Sequence, residues 1–115
     1  MTNFASHVRG VAFAAMVGLI ACSSDSDAPQ DPAYARGQKV YQNICTTCHD
    51  ADPSQDGVLG PPIAGASREL LEAKMVRGEY PPGYEPKRNT AQMPPLAYLE
   101  PYIDDLTAFL ATGSD

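Results

Sequence analysis

The residues of this chain best suited to chemistry lie in one short segment, Cys45-Thr46-Thr47-Cys48-His49. Two thiols a short turn apart can form thioether bonds to the two vinyl groups of one haem. A histidine directly after the second thiol is then held against the iron as its proximal ligand. The C-x-x-C-H spacing is the signature of covalent haem attachment. The segment therefore predicts one covalently bound haem c, carried by Cys45 and Cys48 and ligated by His49.

Two other interpretations of the same spacing need companion residues. A thioredoxin-like redox pair belongs in a βαβ unit, and a structural zinc site takes four Cys or His ligands. After Cys48 the 115-residue chain has no further cysteine, and His49 is its last histidine. Haem attachment is therefore favoured over both zinc binding and thiol–disulfide exchange.

The N-terminal segment has the pattern of an export signal. An apolar run from Val11 to Ala21 follows Arg9 and is too short to span a bilayer, which indicates a signal peptide over residues 1–21. Leu19-Ile20-Ala21-Cys22 resembles the lipobox of bacterial lipoproteins, in which the cysteine carries the lipid after cleavage. We expect Cys22 to anchor a periplasm-facing protein to a bacterial membrane. The alternative is ordinary cleavage nearby, which would leave Cys22 as a free thiol.

The composition changes again after the lipobox. Residues 22–30 are small, polar or acidic and show no apolar periodicity, so they predict a flexible tether. The folded domain is then expected over residues 31–115. A chain of this length is small for a purely hydrophobic core, and a bound haem would supply a large apolar group around which short helices can pack.

The charge balance bears on the class of partner. Removing residues 1–21 takes Arg9, one of eight Lys and Arg residues, and none of the 14 Asp and Glu residues, so the formal net charge goes from −6 to −7. This acidic balance gives no reason to expect nucleic acid as a partner. It suits a redox partner with a basic docking surface.

Periodicity and end signals together predict three helices and no strand. Each helix opens at a capping residue or a proline, and each closes at the haem motif or at a glycine. The helices run from Asp31-Pro32 through Ile44, from Ser67 to Gly78, and from near Glu100-Pro101 to Gly113. Two turn-rich segments, 50–66 and 79–98, connect them. The predicted fold class is all-α with long connecting loops.

The order of these features resembles the small monohaem cytochromes c of class I over residues 32–115. Gly37 and Tyr41 stand eight and four residues before Cys45, where the family has a glycine and an aromatic residue. Leu106 and Phe109 match the leucine and the aromatic residue of the terminal helix, which crosses that glycine. The resemblance implies the small cytochrome c fold, with three main helices packed around one covalently bound haem.

The same resemblance implies the iron ligands. The segment from Gly60 to Gly65 is similar to the family's Gly-Pro-x-Leu-x-Gly loop, whose proline carbonyl, here Pro61, accepts a hydrogen bond from the proximal histidine. Met93 lies before Pro94 in a segment similar to the family's Met-Pro ligand loop, and is expected to be the sixth ligand. Met75 is the alternative, although its helical pattern indicates a core residue.

With His49 and Met93 both bound, no substrate could reach the iron. The implied protein is not an enzyme and has no small-molecule substrate. It shuttles single electrons between a donor and an acceptor among periplasmic or membrane redox proteins. Two alternatives stay open, namely a dedicated cytochrome subunit of a larger oxidoreductase and a five-coordinate haem protein that binds gas or peroxide.

Several polar side chains are candidates for contacts at the haem edge, and each also suits a solvated surface. Asn89 or Gln92 could donate a hydrogen bond to the Met93 sulfur. The candidate partners of a haem propionate are Arg68, Arg77, Tyr80, Tyr84, Lys87 and Arg88.

Overall fold

The computed structural model describes residues 31–113. The predicted signal peptide over residues 1–21 and the predicted tether over residues 22–30, with the lipid-bearing Cys22, lie outside the described residues. So do the last two residues of the expected domain.

Helix α1 spans Pro32–Ile44 and begins and ends where the sequence predicts. The Asp31 side chain accepts a hydrogen bond from the Ala33 N–H at 2.9 Å, and proline occupies the first helical position, where a missing N–H costs nothing. At its C-terminal end, α1 continues into a single 3₁₀ turn, Cys45–Thr47. The first thiol of the motif is therefore held directly on the end of a regular helix.

Helix α2 spans Arg68–Glu72 and widens into a π-helical segment, Ala73–Arg77, here called the π-turn. The Ser67 hydroxyl caps α2 by accepting a hydrogen bond from the Leu70 N–H at 3.1 Å. The π-turn ends at Gly78, whose φ of 71° lies in the left-handed region that favours glycine. The predicted start and stop are confirmed, whereas the change of helical pitch between them was not predicted.

The C-terminal helix begins differently from its prediction. A 3₁₀ segment spans Ala97–Tyr102, and regular helix α3 spans Ile103–Leu110. Pro101 has no N–H, and the Ile103 N–H bonds to Glu100 three residues back, so α-helical bonding starts later than the expected Glu100-Pro101. A second 3₁₀ turn, Ala111–Gly113, follows α3.

The fold depends on a close crossing of α1 and α3 at Gly37. A Cβ placed on Gly37 would fall on the carbonyl oxygen of Asp105, 2.5 Å from its carbonyl carbon and 3.0 Å from the Leu106 nitrogen. Only glycine lets the two backbones come this close, since backbone atoms cannot swing aside as a side chain can. The crossing implied by the family resemblance is confirmed.

Side chains hold the same crossing from both flanks. Phe109 of α3 packs between two rings of α1, at centroid distances of 5.3 Å from Tyr34 and 5.2 Å from Tyr41. On the other flank Arg36 donates two hydrogen bonds to the largely buried Asp105 carboxylate, at 2.9 and 2.8 Å. These bonds hold the pKa of Asp105 below its ordinary value. A paired geometry of this kind satisfies a carboxylate that burial would otherwise disfavour.

The hydrophobic core lies between the three helices. Leu99 of the 3₁₀ segment belongs to it, although the sequence pattern did not single it out, while Tyr102 is 42% exposed despite its helical spacing. Leu99 precedes the predicted start of the helix near Glu100-Pro101, so the helical pattern did not include it. The buried cluster comprises Tyr41, Leu71, Met75, Leu99, Ile103, Leu106, Phe109 and Leu110.

The described part of the chain, residues 31–113, contains no β-strand, in agreement with the predicted all-α class. Within the same range no helix has the length and apolar character needed to cross a membrane.

We expect Gly37→Val to destabilise the haem-loaded protein by ~1–3 kcal/mol, because a branched side chain overpacks the contact with Asp105. Ala35→Val is the matched control, since Ala35 lies on the same helix but is exposed. It should cost under about 1 kcal/mol through helix propensity alone. Urea unfolding midpoints measure both. If the two variants lose the same stability, the close crossing at Gly37 does not determine the stability of the fold.

Candidate haem-binding site

The C-x-x-C-H motif forms a tight turn in which one carbonyl organises the other residues. The Cys45 carbonyl accepts hydrogen bonds from the Cys48 N–H at 3.1 Å and the His49 N–H at 2.9 Å. Both thiols are half-buried and free of any disulfide. Burial, with a smaller effect from the Cys48 thiol, raises the pKa of Cys45 to about 11. Its thiol is therefore neutral until it forms a covalent bond.

The His49 ring is held in one tautomer. Its Nδ1 lies 2.9 Å from the carbonyl oxygen of Pro61. A carbonyl can only accept, so Nδ1 carries a proton, and in the neutral imidazole Nε2 then keeps a lone pair that is free to bind a metal. The predicted partnership of Pro61 with His49 is confirmed, and it is the arrangement that orients a metal-binding histidine.

A short loop, residues 57–61, wraps around this histidine and is called here the proximal strap. The Leu59 and Gly60 N–H groups both donate to the Cys48 carbonyl, at 3.1 and 2.9 Å, and the Gly57 N–H donates to the Gly60 carbonyl at 2.9 Å. A Cβ on Gly60 would lie 2.5 Å from both Nδ1 and Cε1 of His49. Glycine is thus required for the strap to pass across the face of the imidazole.

The motif opens into two adjoining cavities of about 100 and 260 Å³. A water molecule needs only roughly 10–15 Å³ of such space, and packed cores contain few larger voids. Six residues line both cavities, so the two form one continuous cleft. They are Cys48, His49, Ile63, Leu71, Met75 and Met93.

The walls of this cleft suit a large, flat apolar group. All three helices supply hydrophobic side chains to it, Tyr41 and Ile44 from α1, Leu71 from α2, and Leu106 and Leu110 from α3. The thiols and the imidazole lie beside these apolar walls. The residues present therefore fit a covalently attached haem, with thioethers at Cys45 and Cys48 and a nitrogen ligand from His49.

Both candidate methionines reach the cleft. Met75 is 3% exposed and belongs to the buried cluster, as its helical pattern indicated. Met93 is half-buried, packs against the edge of that cluster and lies in the loop before the 3₁₀ segment. Its assignment as an iron ligand stays a prediction.

The rim of the cleft carries cations and tyrosines. Tyr80 and Tyr84 stack with their ring centroids 5.4 Å apart, and the Lys74 ammonium lies 4.3 Å from the Tyr80 ring centroid. Lys87 donates to the Pro62 carbonyl at 2.7 Å, and Arg88 donates to Leu59 at 2.9 Å. These five side chains line the cleft. Lys74 was not identified from the sequence, because a lysine among helical apolar residues also suits a solvated face.

The other candidate residues for a propionate contact lie elsewhere. Arg68 pairs with Asp104 and Glu72, both at 2.7 Å, and Arg77 pairs with Glu72 at 3.2 Å. Neither arginine lines the cleft. Of the two candidate donors to the Met93 sulfur, Gln92 lines it and Asn89 does not.

Comparison with known proteins agrees with this geometry. No curated protein and no solved structure matches the chain. The model of the Cytochrome c family matches residues 34–114, a range that contains the attachment motif, the proximal strap and α3. Members of that family bind haem c covalently. The chain therefore belongs to the cytochrome c family and is a haem electron-transfer protein, with Cys45 and Cys48 in the positions that hold the haem.

Proposed function

We propose that this protein is a class I monohaem cytochrome c, exported as a bacterial lipoprotein. It shuttles single electrons between periplasmic or membrane redox partners, with His49 and Met93 as the axial ligands of one iron. The observation that carries the proposal is the shared cleft, because His49, Met93 and the attachment cysteine Cys48 line the same apolar space.

The two ligands are supported on different grounds. The His49 Nε2 keeps its lone pair because Nδ1 donates to Pro61. Met93 lies in a loop stiffened by Pro94 and Pro95, and a loop can present a side chain across the cleft without disturbing the core. Met75 instead packs inside the hydrophobic cluster. A neutral, soft thioether favours Fe(II), so ligation by histidine and methionine raises the reduction potential.

When bound, haem supplies a one-electron couple, and the protein tunes it. The apolar walls exclude water and lower the local dielectric, which changes the balance between the charged states of a buried redox centre. The hydrogen bond to Pro61 makes the imidazole a better electron donor. With both axial positions filled, the iron has no site for a substrate, and the protein is not an enzyme.

The N-terminal segment and the net charge bear on the location of the protein and on its partners. Cys22 in a lipobox would tether the domain to a membrane through residues 22–30. The acidic net charge suits donor and acceptor proteins with basic docking surfaces. A dedicated subunit of a larger oxidoreductase would have the same haem site. Size-exclusion chromatography of protein gently extracted from membranes distinguishes a free shuttle from a subunit. A free shuttle elutes alone, whereas a subunit elutes with its complex.

Met93→Ala tests the sixth ligand. The oxidised wild-type protein should show the weak far-red band of an iron–thioether bond, and the variant should lose it, bind cyanide faster and have a lower reduction potential. The reduction potential falls because water or hydroxide in place of a thioether favours Fe(III). Absorbance spectra, ligand-binding rates and redox titration measure the three effects.

Met75→Leu is the matched control for Met93→Ala. This swap of similar volume should cost less than ~1.5 kcal/mol and leave the far-red band in place. If Met75→Leu loses the far-red band and Met93→Ala keeps it, the sixth ligand is Met75. Ready binding of carbon monoxide to the reduced wild-type protein would instead indicate a five-coordinate haem and a ligand-binding function.

Cys22→Ser tests the anchor. The variant should leave the membrane fraction as a folded cytochrome with an unchanged haem spectrum, because the lipid bond belongs to one residue outside the folded domain. Fractionation of cells with haem absorbance as the readout measures this. A variant that still sediments with membranes in high salt would show that another feature anchors the protein.

A further inference from the structure

The π-turn contacts the loop that carries Met93. The last carbonyls of a helix have no intrahelical partner and must find a donor elsewhere. The carbonyl of Met75, in the middle of the π-turn, accepts a hydrogen bond from the Leu96 N–H at 2.5 Å. The end of the second helix is thus satisfied by the loop that follows Met93.

The identity of this donor is set by the loop sequence. Pro94 and Pro95 have no N–H group, so Leu96 is the first residue after Met93 whose backbone can donate. Its single donor goes to the π-turn. The Leu96 carbonyl in turn accepts from the Leu99 N–H at 2.9 Å, at the start of the 3₁₀ segment. The loop is therefore attached to two rigid elements just beyond Met93.

A second contact lies beside the first. Gly78 ends the π-turn with a φ of +71°, and a Cβ on it would lie 2.9 Å from Cγ of the Pro95 ring. The ring therefore rests on a position that has no side chain. Both the left-handed backbone and the close approach of the ring require glycine here.

We infer that the π-turn and Gly78 form a seat that positions the Met93 side chain toward the iron, an inference that rests on the proposed role of Met93 as sixth ligand. Gly78 and Pro95 are positioning residues, since neither of them lines the cleft. For an exogenous ligand to displace the thioether, the loop must move, and this motion lifts Pro95 from Gly78 and strains the bond between Leu96 and Met75. Met75 contributes through its backbone carbonyl, which Met75→Leu preserves.

The experiment compares Gly78→Ala with Gly83→Ala in the haem-loaded protein. Both glycines have a left-handed φ, 71° and 80°, but a Cβ on Gly83 would meet nothing within 4 Å. The two variants therefore share the backbone strain and differ in the contact with Pro95. We expect Gly78→Ala to weaken the far-red band and to speed cyanide binding about tenfold, which corresponds to about 1.4 kcal/mol. Gly83→Ala should match the wild-type protein in the far-red band and in the rate of cyanide binding.

One further variant and one further measurement separate the loss of the Pro95 contact from general damage to the fold. Gly78→Ala combined with Pro95→Ala removes the obstructing ring and should recover most of the slow cyanide binding, giving a non-additive cycle. Hydrogen exchange of the Leu96 amide, which needs no haem signal, should be faster in Gly78→Ala than in Gly83→Ala.

The outcomes distinguish this inference from the proposed function. Equal effects of Gly78→Ala and Gly83→Ala, or no rescue by Pro95→Ala, would overturn the seat while leaving Met93 as ligand. If the wild-type protein lacks the far-red band, Met93 is not the sixth ligand. The seat then has no role in positioning an iron ligand. Loss of the band in Gly78→Ala alone, with rescue in the double variant, supports the seat.

Discussion

The structure depends on the backbone contact between Gly37 of α1 and the Asp105–Leu106 peptide of α3. Because Cys45 directly follows α1, the angle and depth of this crossing decide where the attachment thiols lie relative to the wall that α3 supplies through Leu106 and Leu110. The aromatic packing around Phe109 and the pairing of Arg36 with Asp105 both act at the same crossing.

The two proposed iron ligands, His49 and Met93, are positioned in the same way, by a loop that packs closely at a glycine. On one side a strap passes over the His49 ring because Gly60 has no Cβ, and on the other the Pro95 ring rests on Gly78 for the same reason. A proline takes part on each side. The Pro61 carbonyl accepts a hydrogen bond from the His49 ring, and the Pro95 ring packs on Gly78. Rigid loops placed against glycines can hold a ligand without a surrounding core.

The charges are distributed unevenly over this acidic protein. Arg68 and Arg77 are engaged with carboxylates away from the cleft. Lys74, Lys87 and Arg88 lie at its rim. Lys87 and Arg88 donate to the carbonyls of Pro62 and Leu59, and Arg88 also pairs with Asp56 at 2.6 Å. A cationic rim around an apolar cleft favours anionic groups at its edge, while the net negative charge acts at longer range on a docking partner.

The sequence by itself determined the attachment motif, the presence of three helices and the caps of α1 and α2, because each depends on local spacing. The pairing of Pro61 with His49 was implied by the resemblance to a family motif, and the structure confirms it. The sequence did not reveal the π-turn, the 3₁₀ segment before α3, the burial of Leu99 with the exposure of Tyr102, or the contact of Pro95 with Gly78. The last carbonyls of a helix take donors from outside it, and here Leu96 serves Met75. Such a pairing joins residues far apart in the chain, so only the tertiary structure could decide it.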